Sequence, residues 1–140
     1  MKIQGILETV VYADDLQAAE RFYHEVLGLE VHSREPGRHV FFRCGWGMFL
    51  VFDPRTTGQD DAGSTGGVPS HGADGPGHMA FAVAPDELDG WRRRLAEHGV
   101  ALERDLAWPR GGRSLYFRDP AGNSIELATP RLWGLDSATK

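Results

Sequence analysis

At 140 residues, with 41% hydrophobic and 25% charged side chains, the chain suits one compact structural unit or two half-size modules sharing a core, and its composition excludes disorder. A formal net charge of -5 repels phosphate backbones, so nucleic acid is not an expected partner. The lone cysteine, Cys44, excludes a disulfide framework or a cysteine zinc site and fits a reducing cytoplasm.

The opening residues carry an apolar stretch that is too short, and too soon interrupted by Glu8, for a signal peptide. No run approaches the length needed to span a bilayer, so a cytoplasmic protein without a membrane partner is expected. Residues 3–13 read as a strand: Ile6, Val10 and Tyr12 alternate with Leu7, Thr9 and Val11. Asp14 and Asp15 then cap a helix whose apolar positions are Leu16, Ala19, Phe22, Tyr23, Val26 and Leu27, and Gly28 stops it. Three strands follow near 29–33, 38–43 and 47–53, with turns at Pro36-Gly37 and Gly45-Trp46-Gly47. Residues 54–76 are rich in Gly, Thr, Ser, Asp and Pro and carry no periodicity, which predicts a linker or mobile loop.

Residues 77–83 read as a strand again. Pro85-Asp86-Glu87 opens a helix with the apolar face Leu88, Trp91 and Leu95, closed by Gly99. Strands near 100–105, 113–118 and 123–128 complete the half, and Asp119-Pro120-Ala121-Gly122-Asn123 forms a tight turn between the last two. The second half thus repeats the first at an offset of about 70 residues, an internal duplication. The expected fold is α+β: two tandem βαβββ modules, at 1–53 and 77–130, whose sheets form cupped, open barrel-like surfaces within one structural domain. Residues 131–140 are left as a C-terminal tail.

Side chains alternate across a strand. On the first strand Glu8, Val10 and Tyr12 share a face. On the first strand of the second half His78, Ala80 and Ala82 do so, and on the last strand Ser124, Glu126 and Ala128. In each case the opposite face carries the bulky apolar set that packs under a helix. Taken singly, a strand Glu or His is usually no more than a solvated polar residue. Together, Glu8, His78 and Glu126 offer two carboxylates and one imidazole, enough to hold a divalent cation and leave positions open for substrate.

Three stretches resemble the vicinal-oxygen-chelate superfamily, which includes glyoxalase I, fosfomycin- and bleomycin-resistance proteins and extradiol dioxygenases. They are Glu8 to Leu16 with Phe22 to Leu29, then Gly77-His78-Met79-Ala80-Phe81, and Leu115 to Leu127. The resemblance covers residues 3 to about 130. It implies metal ligands at equivalent places on the first and last strands of the two modules: Glu8, a residue of strand 47–53, His78 and Glu126. The second of these falls at Leu50, which cannot bind a metal, so three-ligand members fit better than glyoxalase I. Fosfomycin transferases and extradiol dioxygenases typically have His at the place of Glu8, and the fosfomycin enzymes bring a lysine to the region of 106–110. Here that region reads Leu106-Ala107-Trp108-Pro109-Arg110, with Arg110 or Arg113 as the available cations. Two carboxylates favour Mn²⁺, Fe²⁺ or Mg²⁺, with Zn²⁺ and Ni²⁺ admissible.

The resemblance implies a metal-dependent enzyme that chelates two neighbouring oxygens of a small substrate and stabilises an oxyanion or enolate. Lyase, isomerase, transferase and dioxygenase chemistry all stay open. Glu8 is a candidate base, and Tyr116 a candidate catalytic side chain that positions the substrate. Tyr12, Trp46, Leu50, Trp108, Arg110, Arg113 and Ser114 are candidate substrate contacts, and His71 a loop residue able to close over the site. The alternative is a drug- or metabolite-sequestering protein of the bleomycin-resistance type, with Trp46, Trp108 and Tyr116 stacking on a planar ligand. Many small members pair as homodimers that share each cavity between two copies, and a homodimer is expected here.

Overall fold

Each half of the chain folds as a four-stranded mixed sheet with its helix on one face, an α+β arrangement. The computed structural model describes residues 1–59 and 67–135. The chain divides into two units, Met1–Gly77 and His78–Lys140. Residues 60–66 of the expected linker and 136–140 of the expected tail lie outside the described residues.

In the first unit β1 (Glu8–Tyr12) leads through α1 (Leu16–Arg21) to β2 (Glu30–Glu35), β3 (His39–Cys44) and β4 (Gly47–Phe52). The strand order is β1-β4-β3-β2, with β1 parallel to β4 and the other pairs antiparallel. A parallel pair needs a long crossover, which the helix and the meander supply. Asp15 caps α1 by accepting the Ala18 N–H at 2.9 Å. A π turn, Phe22–Val26, extends α1, and its wider winding lets the consecutive residues Phe22 and Tyr23 both face inward, 7% and 0% exposed. Tyr23 packs edge-on against Phe49 at 4.7 Å and tilted against Phe42 at 5.7 Å, which makes the helix side of the sheet the core.

The expected strand from residue 3 begins instead at Glu8. Pairing stops there because β4, its neighbour in the sheet, starts at Gly47; the last link is Met48 N–H to Leu7 O at 2.9 Å. The opening of the expected linker is also ordered. Residues Pro54–Thr57 form a short helix, α2, capped by the Asp53 carboxylate.

The second unit repeats the plan. It contains β5 (His78–Ala82), a 3-10 turn, α3 (Leu88–Glu97), β6 (Arg104–Ala107), β7 (Arg113–Arg118) and β8 (Ser124–Ala128), in the order β5-β8-β7-β6. Leu115, Phe117, Ile125 and Leu127 on the strands are buried, and so are Leu88 and Leu95 of α3. Trp91, expected on the same face, is half-buried and covered by the Arg94 guanidinium at 5.9 Å. The β7–β8 turn is held by Asp119, which accepts the Ala121 and Asn123 N–H groups at 3.0 and 2.8 Å. After β8 the chain makes a 3-10 turn, Pro130–Trp133, where a tail was expected. Among the described residues no helix is long and apolar enough to cross a membrane.

Candidate metal centre

The two sheets have matching registers. Glu8 pairs with Met48 and Val10 with Leu50; His78 pairs with Ser124 and Ala80 with Glu126. Glu8 and His78 are therefore equivalent positions, and so are Leu50 and Glu126. In the second unit His78, Glu126 and Tyr116 lie on three adjacent strands and on the face away from α3, because Tyr116 pairs directly with Glu126.

His78 Nδ1 lies 3.0 Å from the Ser124 carbonyl oxygen. A carbonyl only accepts, so Nδ1 carries the proton and Nε2 points its lone pair elsewhere. Nε2 lies 3.3 Å from Glu126 Oε2. Two lone-pair donors at that distance repel unless a proton or a cation lies between them. The Glu126 side chain is only 9% exposed, against 53% for His78, so its charge is largely removed from water and needs a partner. A ring nitrogen tied to a backbone carbonyl, with the other facing a buried carboxylate, is an arrangement that could supply two ligands to a divalent ion. In neither unit, among the described residues, does a third His, Cys, Asp or Glu complete such a group.

Burial, with the hydrogen bond to Glu126 second, raises the Tyr116 phenol above its ordinary value of 10.0. Tyr116 therefore stays protonated and stabilises the carboxylate beside it. Its ring lies roughly parallel to the His78 imidazole, 6.3 Å away.

A cavity of about 510 Å³ opens over this group. His78, Tyr116 and Glu126 line it together with Ala80 and Ala128, whose small side chains leave the space open. Trp108, Pro109 and Arg110, from the loop after β6, and Leu132 and Trp133, from the C-terminal turn, complete the lining. Composition and periodicity gave no sign of Leu132 and Trp133. The available signal was a pair of large apolar residues directly after Thr129-Pro130, in a stretch too short to show a period.

The remaining candidates separate. Trp108 and Arg110 line the cavity with Tyr116. Ser114 is fully buried and accepts the Trp108 indole N–H at 2.8 Å, so it fixes Trp108 and is not open to a ligand. Arg113 is taken up by Asp105, at 2.7 and 2.6 Å, and by Asp89 at 2.9 Å, on the face opposite Tyr116. In the first unit Glu8 is exposed at the start of β1 and Leu50 is 5% exposed. Tyr12, on the face of Glu8, hydrogen-bonds His71 Nδ1 at 2.7 Å, and His71 packs edge-on against Phe52 at 4.8 Å. The structure thus joins Tyr12 and His71, with the His71 backbone fixed by its N–H to Thr57 O at 2.9 Å. Trp46 is 74% exposed in the β3–β4 turn.

The family whose sequence pattern matches this chain, over residues 5–127, is described as the Glyoxalase/Bleomycin resistance protein/Dioxygenase superfamily. The chain is 29% identical over 130 residues to Glutathione transferase FosA of Serratia marcescens, covering 89% of this chain and 80% of that protein. It is 37% identical over 57 residues to Metallothiol transferase FosB of Shouchella clausii, covering 39% of each. The crystal structure of Lactoylglutathione lyase from Agrobacterium tumefaciens superposes with a TM-score of 0.90 at 44% identity, covering 96% of this chain and 99% of that one.

Proposed function

Because the chain belongs to the Glyoxalase/Bleomycin resistance protein/Dioxygenase superfamily, we propose that it is a divalent-metal-dependent enzyme acting on a small substrate with two neighbouring oxygens. His78, Glu126 and Glu8 would hold the ion, Glu8 coming from a first unit. The observation that carries this reading is His78 Nε2 facing the buried Glu126 carboxylate at 3.3 Å, with Nδ1 committed to a backbone carbonyl. When bound, the ion supplies Lewis acidity toward an oxyanion that develops on the substrate.

The chain's own residues supply the rest. Tyr116, beside Glu126, can turn its single O–H from that carboxylate to a substrate oxygen once an ion shares the carboxylate, and so orient the substrate. Glu8, exposed in its unit, is the carboxylate freest to exchange a proton with substrate. Two hard carboxylates suit Mn²⁺, Fe²⁺ or Mg²⁺. The relatives' names, a glutathione transferase, a metallothiol transferase and a lactoylglutathione lyase, all denote sulfur-bearing reactants. A thiol, or an adduct of one, is therefore the leading second reactant in a transfer or lyase reaction.

The test is elemental analysis of protein reloaded with Mn²⁺ and desalted, for the wild type and for His78→Ala and Glu126→Ala. About one ion per chain is expected in the wild type and none in either variant. Mn²⁺ at about 100 times its dissociation constant should raise the wild-type Tm by roughly 10 °C. No retained ion and no rise in Tm would leave a metal-free sequestering protein as the reading.

A further inference from the structure

Arg110 and Arg113 are neighbours in sequence with different fates. Arg113 is saturated by Asp105 and Asp89. Arg110 lines the cavity, and no carboxylate pairs with it among the described residues. The side chains lining the cavity around it are apolar: Pro109, Leu132 and the two indoles of Trp108 and Trp133. Trp108 is pinned by Ser114 Oγ at 2.8 Å, so this wall is preformed.

The two sides of the mouth are also locked together. Gly111 and Gly112 have φ of +95° and +94°, a backbone conformation that L side chains rarely adopt. A Cβ on Gly111 would lie 2.7 Å from Arg131 Nε, and one on Gly112 would lie 2.9 Å from the Leu132 backbone nitrogen. The loop carrying Trp108 and Arg110 therefore touches the turn carrying Leu132 and Trp133 at closest approach. Arg113 opens β7 three residues before Tyr116, roughly 10 Å along a strand, so the loop with Arg110 lies at the end of the cavity remote from His78 and Glu126.

We propose that the substrate is elongated, with an aromatic or similarly apolar body held by Trp108, Trp133 and Leu132, and an anionic group at its far end gripped by Arg110. This rests on the metal reading above for the near end of the substrate only. An oxygen-chelating head binds at His78 and Glu126, the body lies along the apolar wall, and the anion meets the Arg110 guanidinium.

The test uses full-length protein loaded with Mn²⁺ and three hydroxamates, each presenting two neighbouring oxygens, titrated by calorimetry. They are acetohydroxamate, biphenyl-4-hydroxamate and 4'-carboxybiphenyl-4-hydroxamate. The biphenyl should gain about tenfold or more in affinity over acetohydroxamate, and the far carboxylate about tenfold again. Arg110→Met should abolish only the second gain, and Trp133→Ala, a change at a 77% exposed side chain, should reduce the first. Equal affinity for all three, or a carboxylate gain untouched by Arg110→Met, would overturn the proposal while leaving the metal site standing.

A fourth probe, 4'-methylbiphenyl-4-carboxylate, lacks the chelating head and is titrated into chelator-treated protein. Binding that Arg110→Met weakens about tenfold, alongside no binding of acetohydroxamate to the Mn²⁺-treated protein, would sink the metal reading and keep this one.

Discussion

Glu126 is a carboxylate held out of water beside an imidazole and a phenol, and such a charge is costly until a cation joins it. Glu126→Gln keeps the shape and removes the charge. In chelator, this variant should melt at or above the wild-type Tm; with Mn²⁺ the wild type should rise and the variant should not. Scanning calorimetry in both buffers reads this, and a variant that melts lower in chelator would contradict a strained empty site. His39 presents a different residue-scale case. Its ring stacks on Phe41 at 3.9 Å, and its Nδ1 is buried with no hydrogen bond among the described residues. Burial pushes its pKa below 6.5, with Glu35 opposing and Arg38 assisting. A base whose folded pKa is depressed binds fewer protons folded than unfolded just below 6.5. Its stability contribution is therefore complete above that pH and lost as pH falls toward the folded value. His39→Phe should flatten the fall in Tm between pH 6.5 and 5.

At this scale the sequence was legible where alternation alone decides. His78, Ala80, Glu126 and Tyr116 share the side that a period of two assigns them, because two-residue spacing survives any detail of packing. Arg113 and Ser114 were not legible. Which arginine meets a carboxylate, and whether a serine faces a ligand or an indole, depends on partners that sequence spacing does not specify.

Among the elements, α2 matters more than its four residues imply. Asp53 accepts the Arg55 N–H at 2.9 Å and the Arg55 guanidinium at 3.0 and 2.7 Å. The last turn of α2 then fixes the His71 backbone and sets His71 against Tyr12. Hydrogen bonds from Arg55 hold the Asp53 carboxyl below its ordinary 3.8 despite its burial. Its contribution is present above that pH and lost as pH falls through the depressed value. Asp53→Ala removes the cap and should cost about 1 kcal/mol in urea unfolding at pH 7, with the difference from wild type shrinking below pH 4. Both α2 and the turn Pro130–Trp133 escaped the sequence reading for one reason. Four residues cannot display a helical period, and only their caps or prolines mark them. The longer elements were legible because β-branched alternation, glycine stops and the Asp-Pro-Ala-Gly-Asn turn each act locally. The early start assigned to β1 erred in the other direction. Ile3, Ile6 and Leu7 favour a strand, but a strand also needs a neighbour, and β4 begins only at Gly47.

For the molecule as a whole, the duplication was legible as a repeat of about 70 residues, and the two registers superpose Glu8 on His78. The dimer implied by the family resemblance makes a sharp prediction about where Glu8 acts. Glu8→Gln and Glu126→Gln chains, each unable to retain Mn²⁺, are mixed after mild denaturation and refolded together. If each site joins the first unit of one copy to the second unit of another, half the dimers are mixed and one of their two sites is intact. About a quarter of wild-type Mn²⁺ binding should then return. If each chain completes its own site, mixing should recover nothing.

Leu50 stands in register where the second unit has Glu126, and in the proposed site it would leave vacant a position that a fourth ligand would fill. An octahedral ion held by three side chains keeps three positions for water or reactants; held by four, it keeps two. A glutamate at position 50 would trade one exchangeable water for tighter retention. Water-proton relaxation by Mn²⁺ would register that loss directly, and with it the substrate's freedom to seat both oxygens and still leave a place for a second reactant. On the proposed reading, leucine there would keep a coordination sphere open enough for two partners at once.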